Sequence, residues 1–124
     1  MLLLHIDDDP EDIELFREAV KNIDDSYTCI AASNGIEGLR FLKETTPDYI
    51  FLDMNMPVMD GKETLRNIRS DERLDAVPVY MLSTSSNKRE IELCKILGAT
   101  QWLVKPGSFQ EFIERLKNVF EEGV

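Results

Sequence analysis

Residues 49–61 read YIFLDMNMPVMDG, and the order of residue types in this stretch sets the fold class. Residues 49–52 form a short uncharged hydrophobic run, the pattern of a strand buried on both faces rather than one with a wet side. The run stops at an acid, Asp53, and Asn55, Pro57, Asp60 and Gly61 follow, all residue types that favour turns. A buried strand that hands a carboxylate to an open loop belongs to a parallel α/β sheet, whose ligands collect outside the carboxyl ends of its strands.

The same alternation recurs on both sides of this stretch. Strands are expected over residues 2–6, 27–31, 49–52, 77–82 and 101–104, with amphipathic stretches of about ten to fifteen residues between them, the pattern of repeated βα units. The first helix is expected to begin around Pro10, a residue tolerated in an opening turn, and carries Ile13, Phe16, Val20 and Ile23 on one stripe. Asn34 and Gly35 precede a helical stretch with Ile36, Leu39 and Leu42 facing inward, and residues 62–69 and 87–97 form two less cleanly patterned helices. The last helix is the clearest. Ser108 is its expected N-cap, and Phe109, Phe112, Ile113, Leu116, Val119 and Phe120 oppose Gln110, Glu111, Glu114, Arg115 and Lys117.

The 124 residues are 43% hydrophobic, so folding buries enough surface for one hydrophobic core without disulfide staples. A single domain over residues 1–124 is expected, with no output domain after it. Lys and Arg number 14 against 24 Asp and Glu, a net charge of -10 that opposes nucleic acid and anionic membranes. No apolar run is long enough to suggest a membrane span, and the N-terminal MLLLHI gives way to acids too soon for a signal peptide. A cytoplasmic protein is therefore expected, with Cys29 and Cys94 as reduced core thiols.

The strand ends carry Asp7, Asp8 and Asp9, then Asp53, then Ser83 and Thr84, then Lys105 and Pro106. If their strands are neighbours, these groups converge at one end of the sheet. Clustered carboxylates repel and raise one another's pKa, a strain relieved by a bound cation or a nearby lysine. An open cluster with oxygen ligands suits Mg2+, which keeps several waters and leaves room for phosphate oxygens; without a His or Cys beside the acids, zinc does not fit. With Mg2+ and Lys105 neutralising a transferring phosphoryl group, a carboxylate can act as nucleophile and form an acyl phosphate. Asp53, at the tip of its strand before an open loop, is the best placed, and Ser83 could bond the phosphoryl oxygen.

IDDDP, LDMNMPVMDG, VPVYMLST and WLVKP, in this order and spacing, make the whole chain resemble the receiver domain of two-component response regulators. The resemblance implies a flavodoxin-like, doubly wound α/β fold with five helices around a five-stranded parallel sheet in the order 2-1-3-4-5. It makes Asp7 and Asp8 the acidic pair, Asp53 the phosphoacceptor, Ser83 the switch hydroxyl and Lys105 the phosphate-contacting lysine. Mg2+ would rest on Asp8, Asp53 and the backbone carbonyl of Asn55, with Asp7 acting mainly through water. The backbones of Asn55 and Thr84 would bind the phosphoryl group. Trp102 falls where the family usually has a switching Tyr or Phe, and the family often has the Lys105–Pro106 bond in cis. The phosphoryl donor would be a histidine kinase or a His-containing phosphotransfer protein. The product would be a conformation that docks on a downstream protein through the fourth helix, fifth strand and fifth helix, as a monomer or a phosphorylation-dependent homodimer.

Three positions depart from the commonest pattern. Ser83 replaces a more frequent Thr, Thr84 stands where a smaller residue is usual, and Trp102 is larger than Tyr. Bland readings also stand beside the functional ones: residues 7–9 as a solvated turn before a helix, the serines after Ser83 as helix caps, Trp102 as core packing. His5, inside the first strand, reads as a satisfied core imidazole without a role, and Met54, Met56 and Met59 as soft gap-fillers. Two other functions remain open. One is a receiver-like interaction module that is never phosphorylated. The other is a Mg2+-dependent aspartyl-phosphate phosphatase, disfavoured because Asn55 stands where its second acid would be and no substrate-enclosing cap can be built.

Overall fold

Every expected strand forms, and each owes its limits to local chemistry. A computed structural model describes residues 1–122. In chain order the elements are β1 (Leu2–Ile6), α1 (Pro10–Ile23), β2 (Thr28–Ala32), α2 (Gly35–Leu42), β3 (Tyr49–Asp53), α3 (Gly61–Arg69), a 3-10 turn (Glu72–Leu74), β4 (Val79–Ser83), α4 (Lys88–Leu97), β5 (Gln101–Val104) and α5 (Phe109–Glu122). All strand pairs are parallel and the sheet order is β2-β1-β3-β4-β5. The chain thus has the expected flavodoxin-like α/β architecture, with the carboxyl ends of β1, β3 and β4 side by side.

β4 starts two residues later than its hydrophobic run. Pro78 has no N–H to give a ladder, and the Val77 N–H instead closes the 3-10 turn on the Leu74 carbonyl at 3.0 Å. That turn, capped by Asp71, has no hydrophobic period and was not foreseen. β3 and β4 each run one residue further than expected, so that Asp53 lies opposite Leu82 and Ser83 opposite Val104. Both side chains therefore stand on the hydrogen-bonded ladder, not on the loops beyond it.

Alternation along the strands feeds two cores. Leu4, Ile6, Ile50, Leu52 and Met81 pack on one face with Leu65, Ile68 and Cys94, and Met54 and Met56 fill gaps there. Leu3, Phe51, Tyr80 and Leu82 pack on the other with Phe16, Val20, Leu116 and Val119 of α1 and α5. Both cysteines are free, Cys94 buried and Cys29 half-buried.

Two inward assignments are corrected. Ile36 is 47% exposed and Phe109 37% exposed. The inner face of α2 is Gly35, Gly38 and Leu42, and a Cβ at Gly38 would sit 2.5 Å from Ile6 Cδ1. Glycines at the contact carry no hydrophobic signal, which rotated the apparent stripe towards Ile36. Phe109 is the first residue of α5 and overhangs its end; Ser108 caps that helix as expected, its Oγ accepting the Glu111 N–H at 3.1 Å. The Lys105–Pro106 bond is trans, as are all peptide bonds among the described residues. Among those residues, no helix is long and apolar enough to cross a membrane.

One side chain ties three connections together. The Arg69 guanidinium donates from Nε to the Gly98 carbonyl at 2.9 Å, from Nη1 to Leu74 at 2.8 Å and from Nη2 to Val77 at 2.9 Å. The end of α3, the 3-10 turn and the α4–β5 connection thus share one half-buried cation. Arg69→Met keeps the stem but leaves three carbonyls without their charged donor. It should lower stability by about 2–4 kcal/mol, measured as the urea unfolding midpoint at constant slope; a change within about 0.5 kcal/mol would show that water replaces the guanidinium.

Candidate functional site

The strand ends deliver their polar groups to one place because backbone bonds fold each loop back onto the sheet. The Asp7 N–H continues the ladder to Ala32 at 3.0 Å, and the Lys105 N–H donates to the Ser83 carbonyl at 2.7 Å. Asp7 Oδ1 accepts the Asp9 N–H at 3.0 Å, and Asp9 in turn caps α1 by accepting the Glu11 N–H at 2.9 Å. After β3, the Gly61 N–H donates to the Met54 carbonyl at 3.0 Å. A Cβ on Gly61 would come within 2.6 Å of the Asp53 carbonyl oxygen, so only glycine lets the loop close this tightly. At the outer tip of that loop, Val58 has φ 69° and the Met59 N–H bonds the Pro57 carbonyl at 2.8 Å. This three-residue turn is strained around a β-branched residue.

Asp7, Asp8 and Asp53 each present an oxygen within 4.8 Å of the others. Asp7 and Asp53 are buried while Asp8 is exposed, giving a cluster that is rigid beneath and open above. The opening is a cleft of about 440 Å³ whose rim includes Asn55, Thr84 and Lys105. Lys105 Nζ lies 3.3 Å from Asp53 Oδ1, 3.6 Å from Asp7 Oδ2 and 2.8 Å from Asp12 Oδ2.

One ammonium does not balance these acids. Burial, then the charges of Asp7 and Asp8, push the Asp53 carboxyl from an ordinary 3.8 up to about 6, although Lys105 opposes them. Burial pushes Asp7 up as well, but the His5 contact, the Asp9 N–H and Lys105 outweigh it and hold Asp7 below the usual carboxylate range. For Lys105, burial favours the neutral amine. The hydrogen bond to Asp12 and the charges of Asp7 and Asp53 outweigh that and raise its pKa. An oxygen cluster with one exposed carboxylate, one acid held ionised and a roomy mouth fits a hard divalent cation that keeps part of its water.

The other expected residues lie around this centre. Ser83 is buried, and its Oγ accepts the Ser85 N–H at 3.0 Å. Trp102 is outside the cleft, on a groove of about 290 Å³ between α4 and β5. Its Nε1 donates to the Ser85 carbonyl at 3.0 Å, so Ser83 and Trp102 are tied to the same residue. Two participants were missed. Asp12, in the first turn of α1, looks in the sequence like any acid at a helix start, yet it makes the shortest contact to Lys105. His5 is 2% exposed and is not a satisfied core imidazole: neither ring nitrogen has a hydrogen-bond partner, and Nε2 lies 3.4 Å from Asp7 Oδ2. The signal that could have found it is the strand period, which places residues 5 and 7 on one face.

Comparison with known proteins agrees with this geometry. A family described as the response regulator receiver domain matches residues 3–117. A probable C4-dicarboxylate response regulator, DctR of Bacillus subtilis, is 33% identical over 120 residues, covering 97% of this chain and 50% of that protein. The chain thus spans about half the length of that relative. The chemotaxis protein CheY-3 of Vibrio cholerae is 32% identical over 114 residues, 90% of this chain and 88% of that one. Among solved structures, the phosphorylated cyanobacterial phytochrome response regulator RcpA superposes with a TM-score of 0.89 at 26% identity, covering 99% of this chain and 95% of that one.

The raised Asp53 pKa has a consequence for stability. Below about pH 4 the carboxyl is protonated in both folded and unfolded chains, so its burial costs nothing electrostatically. Between pH 4 and 6 the unfolded chain ionises first and stability falls as pH rises; above about 6 the whole penalty is present, of order 2–3 kcal/mol. In buffer free of divalent cations, Asp53→Asn should therefore be more stable than wild type by about 2 kcal/mol at pH 7, with the gain vanishing near pH 4. A gain independent of pH, read from urea denaturation at several pH values, would contradict the assignment.

Proposed function

The chain belongs to the response regulator receiver family, and on that footing we propose that it is a phosphorylation switch whose acceptor is Asp53. The observation that carries this reading is the Lys105 ammonium 3.3 Å from Asp53 Oδ1, within a cluster of acids that one lysine does not neutralise. A phosphoryl group on Asp53 places its oxygens where a cation already waits.

The chemistry follows from the placement. Above about pH 6 Asp53 is ionised, and its free oxygen attacks the phosphorus of a phosphohistidine on a histidine kinase or phosphotransfer protein. The P–N bond breaks as the new O–P bond forms, its electron pair and a proton going to the departing imidazole, and an acyl phosphate results. Asp8, Asp53 and the Asn55 carbonyl would hold Mg2+, with Asp7 reaching it through water. The bound ion would supply charge neutralisation at the phosphoryl oxygens. Lys105 exchanges its contact with Asp53 for one with the phosphoryl group, and the backbone N–H groups of Asn55 and Thr84 complete the cradle. Hydrolysis by water restores the carboxylate.

The signal leaves through Ser83. When its hydroxyl turns to the phosphoryl oxygen, it gives up the Ser85 N–H, and Ser85 is also the residue that anchors Trp102. Phosphorylation thus biases the α4–β5–α5 surface toward a second packing, on which a downstream protein docks or a second copy pairs. The relevant compartment is the cytoplasm, where such donors act.

The test uses acetyl phosphate as donor. With Mg2+, intact mass should show a single phosphoryl adduct that requires Asp53 and is accompanied by a change in Trp102 emission. Ser83→Ala should keep the adduct and lose most of the emission change. An adduct that survives Asp53→Asn would overturn the assignment. No adduct and no Mg2+ binding would favour an unphosphorylated interaction module, and rapid turnover of phosphomonoesters would favour the phosphatase.

A further inference from the structure

β1 places a second polar residue directly beneath Asp7. Leu3, His5 and Asp7 share one face of the strand, and His5 is paired in register with Ala31 on one side and Phe51 on the other. Around it that face is apolar: the imidazole stacks on Phe16 with centroids 4.3 Å apart, and Phe51 and Leu82 belong to the same layer. The stacking fixes the plane of the ring and leaves its Nε2 edge toward Asp7 Oδ2, 3.4 Å away. Neither ring nitrogen nor Asp7 Oδ2 has a hydrogen-bond partner. A small cavity of about 70 Å³, bordered by His5, Asp7, Asp12, Lys105, Leu15 and Phe112, adjoins the contact.

We propose that His5 is a positioning residue for the acid cluster: its Nε2–H supports the Asp7 carboxylate from beneath, in the orientation that the divalent cation requires. The proposal rests on the receiver reading and extends it to a residue outside the acidic motif. Asp7 Oδ1 is engaged by the Asp9 N–H, which leaves Oδ2 to be shared between His5 and Lys105. When Lys105 turns to the phosphoryl group, a fully buried carboxylate oxygen loses its cationic neighbour, a costly state unless another donor remains. His5 is that donor. The adjoining cavity gives the two side chains room to shorten 3.4 Å into a hydrogen bond, and carboxylates that serve a metal are held by such outer partners.

Three proteins test this by calorimetric titration with Mg2+: wild type, His5→Val and His5→Gln. Valine suits a buried strand, and the titrations are run far below the urea midpoint of each protein, so that any stability lost with the Asp7 contact leaves all three fully folded. The Mg2+ affinity of His5→Val should fall by roughly tenfold. His5→Gln, with an amide donor on a side chain of similar reach, should recover most of that affinity. A filler role would lower the affinity of both variants alike, whereas a donor role spares His5→Gln. Because His5 is the sole histidine, its ring nitrogens are also directly readable by 15N NMR in the wild-type protein. With Mg2+ bound, Nε2 should carry a proton.

Equal Mg2+ affinity in wild type and His5→Val, or a bare Nε2 in the Mg2+-loaded protein, would overturn the inference and leave the receiver reading intact. A wild type that binds no Mg2+ would overturn both.

Discussion

The site depends on one ammonium held among carboxylates. Lys105 Nζ contacts Asp53, Asp7 and Asp12, and Asp8 completes the cluster. Burial, together with the excess of negative charge that four acids leave around one lysine, pushes the Asp53 carboxyl up to about 6. The folded protein stores this repulsion. A divalent cation bound there would relieve it directly. On the proposed reading a phosphoryl group would shift it, since Lys105 would then choose between the carboxylates it holds and the new oxygens.

That tension persists because the surrounding structure does not yield. Asp53 and Ser83 are the last ladder residues of β3 and β4, Asp9 caps α1 while pinning Asp7, and Gly61 lets the following loop press against the Asp53 carbonyl. Softer elements lie one step out. Ser83, Ser85 and Trp102 form a chain of two hydrogen bonds from the sheet to the α4–β5 groove. A change at the rigid centre therefore has a short mechanical route to an exposed surface, the arrangement expected of a two-state element.

Much of this was legible in the sequence because buried parallel strands announce themselves as uninterrupted hydrophobic runs that end in polar residues. Those runs placed all five strands to within two residues, and their ends pointed to Asp7, Asp8, Asp53, Ser83 and Lys105. What escaped notice lacked a periodic signal. Gly38 makes the inner contact of α2 without a side chain, so Ile36 was turned inward in error. Pro78 sits in a hydrophobic run but has no N–H for the ladder. Arg69 reads as one more surface cation until three carbonyls converge on it. Asp12 is hidden among acids that favour a helix start, and its contact with Lys105 joins residues far apart in the chain. His5 was seen, but its lack of a conventional partner depends on what packs around it, which the strand pattern alone does not specify.

Burial and charge repulsion hold the Asp53 carboxyl above its ordinary value, and a bound cation would relieve both. The direct measurement is a 13C NMR titration of the Asp53 side-chain carboxyl, first without divalent cations and then with saturating Mg2+. The account predicts a midpoint near 6 without the ion and a marked downward shift with it. A midpoint near the ordinary aspartate value of about 4, unmoved by Mg2+, would contradict it.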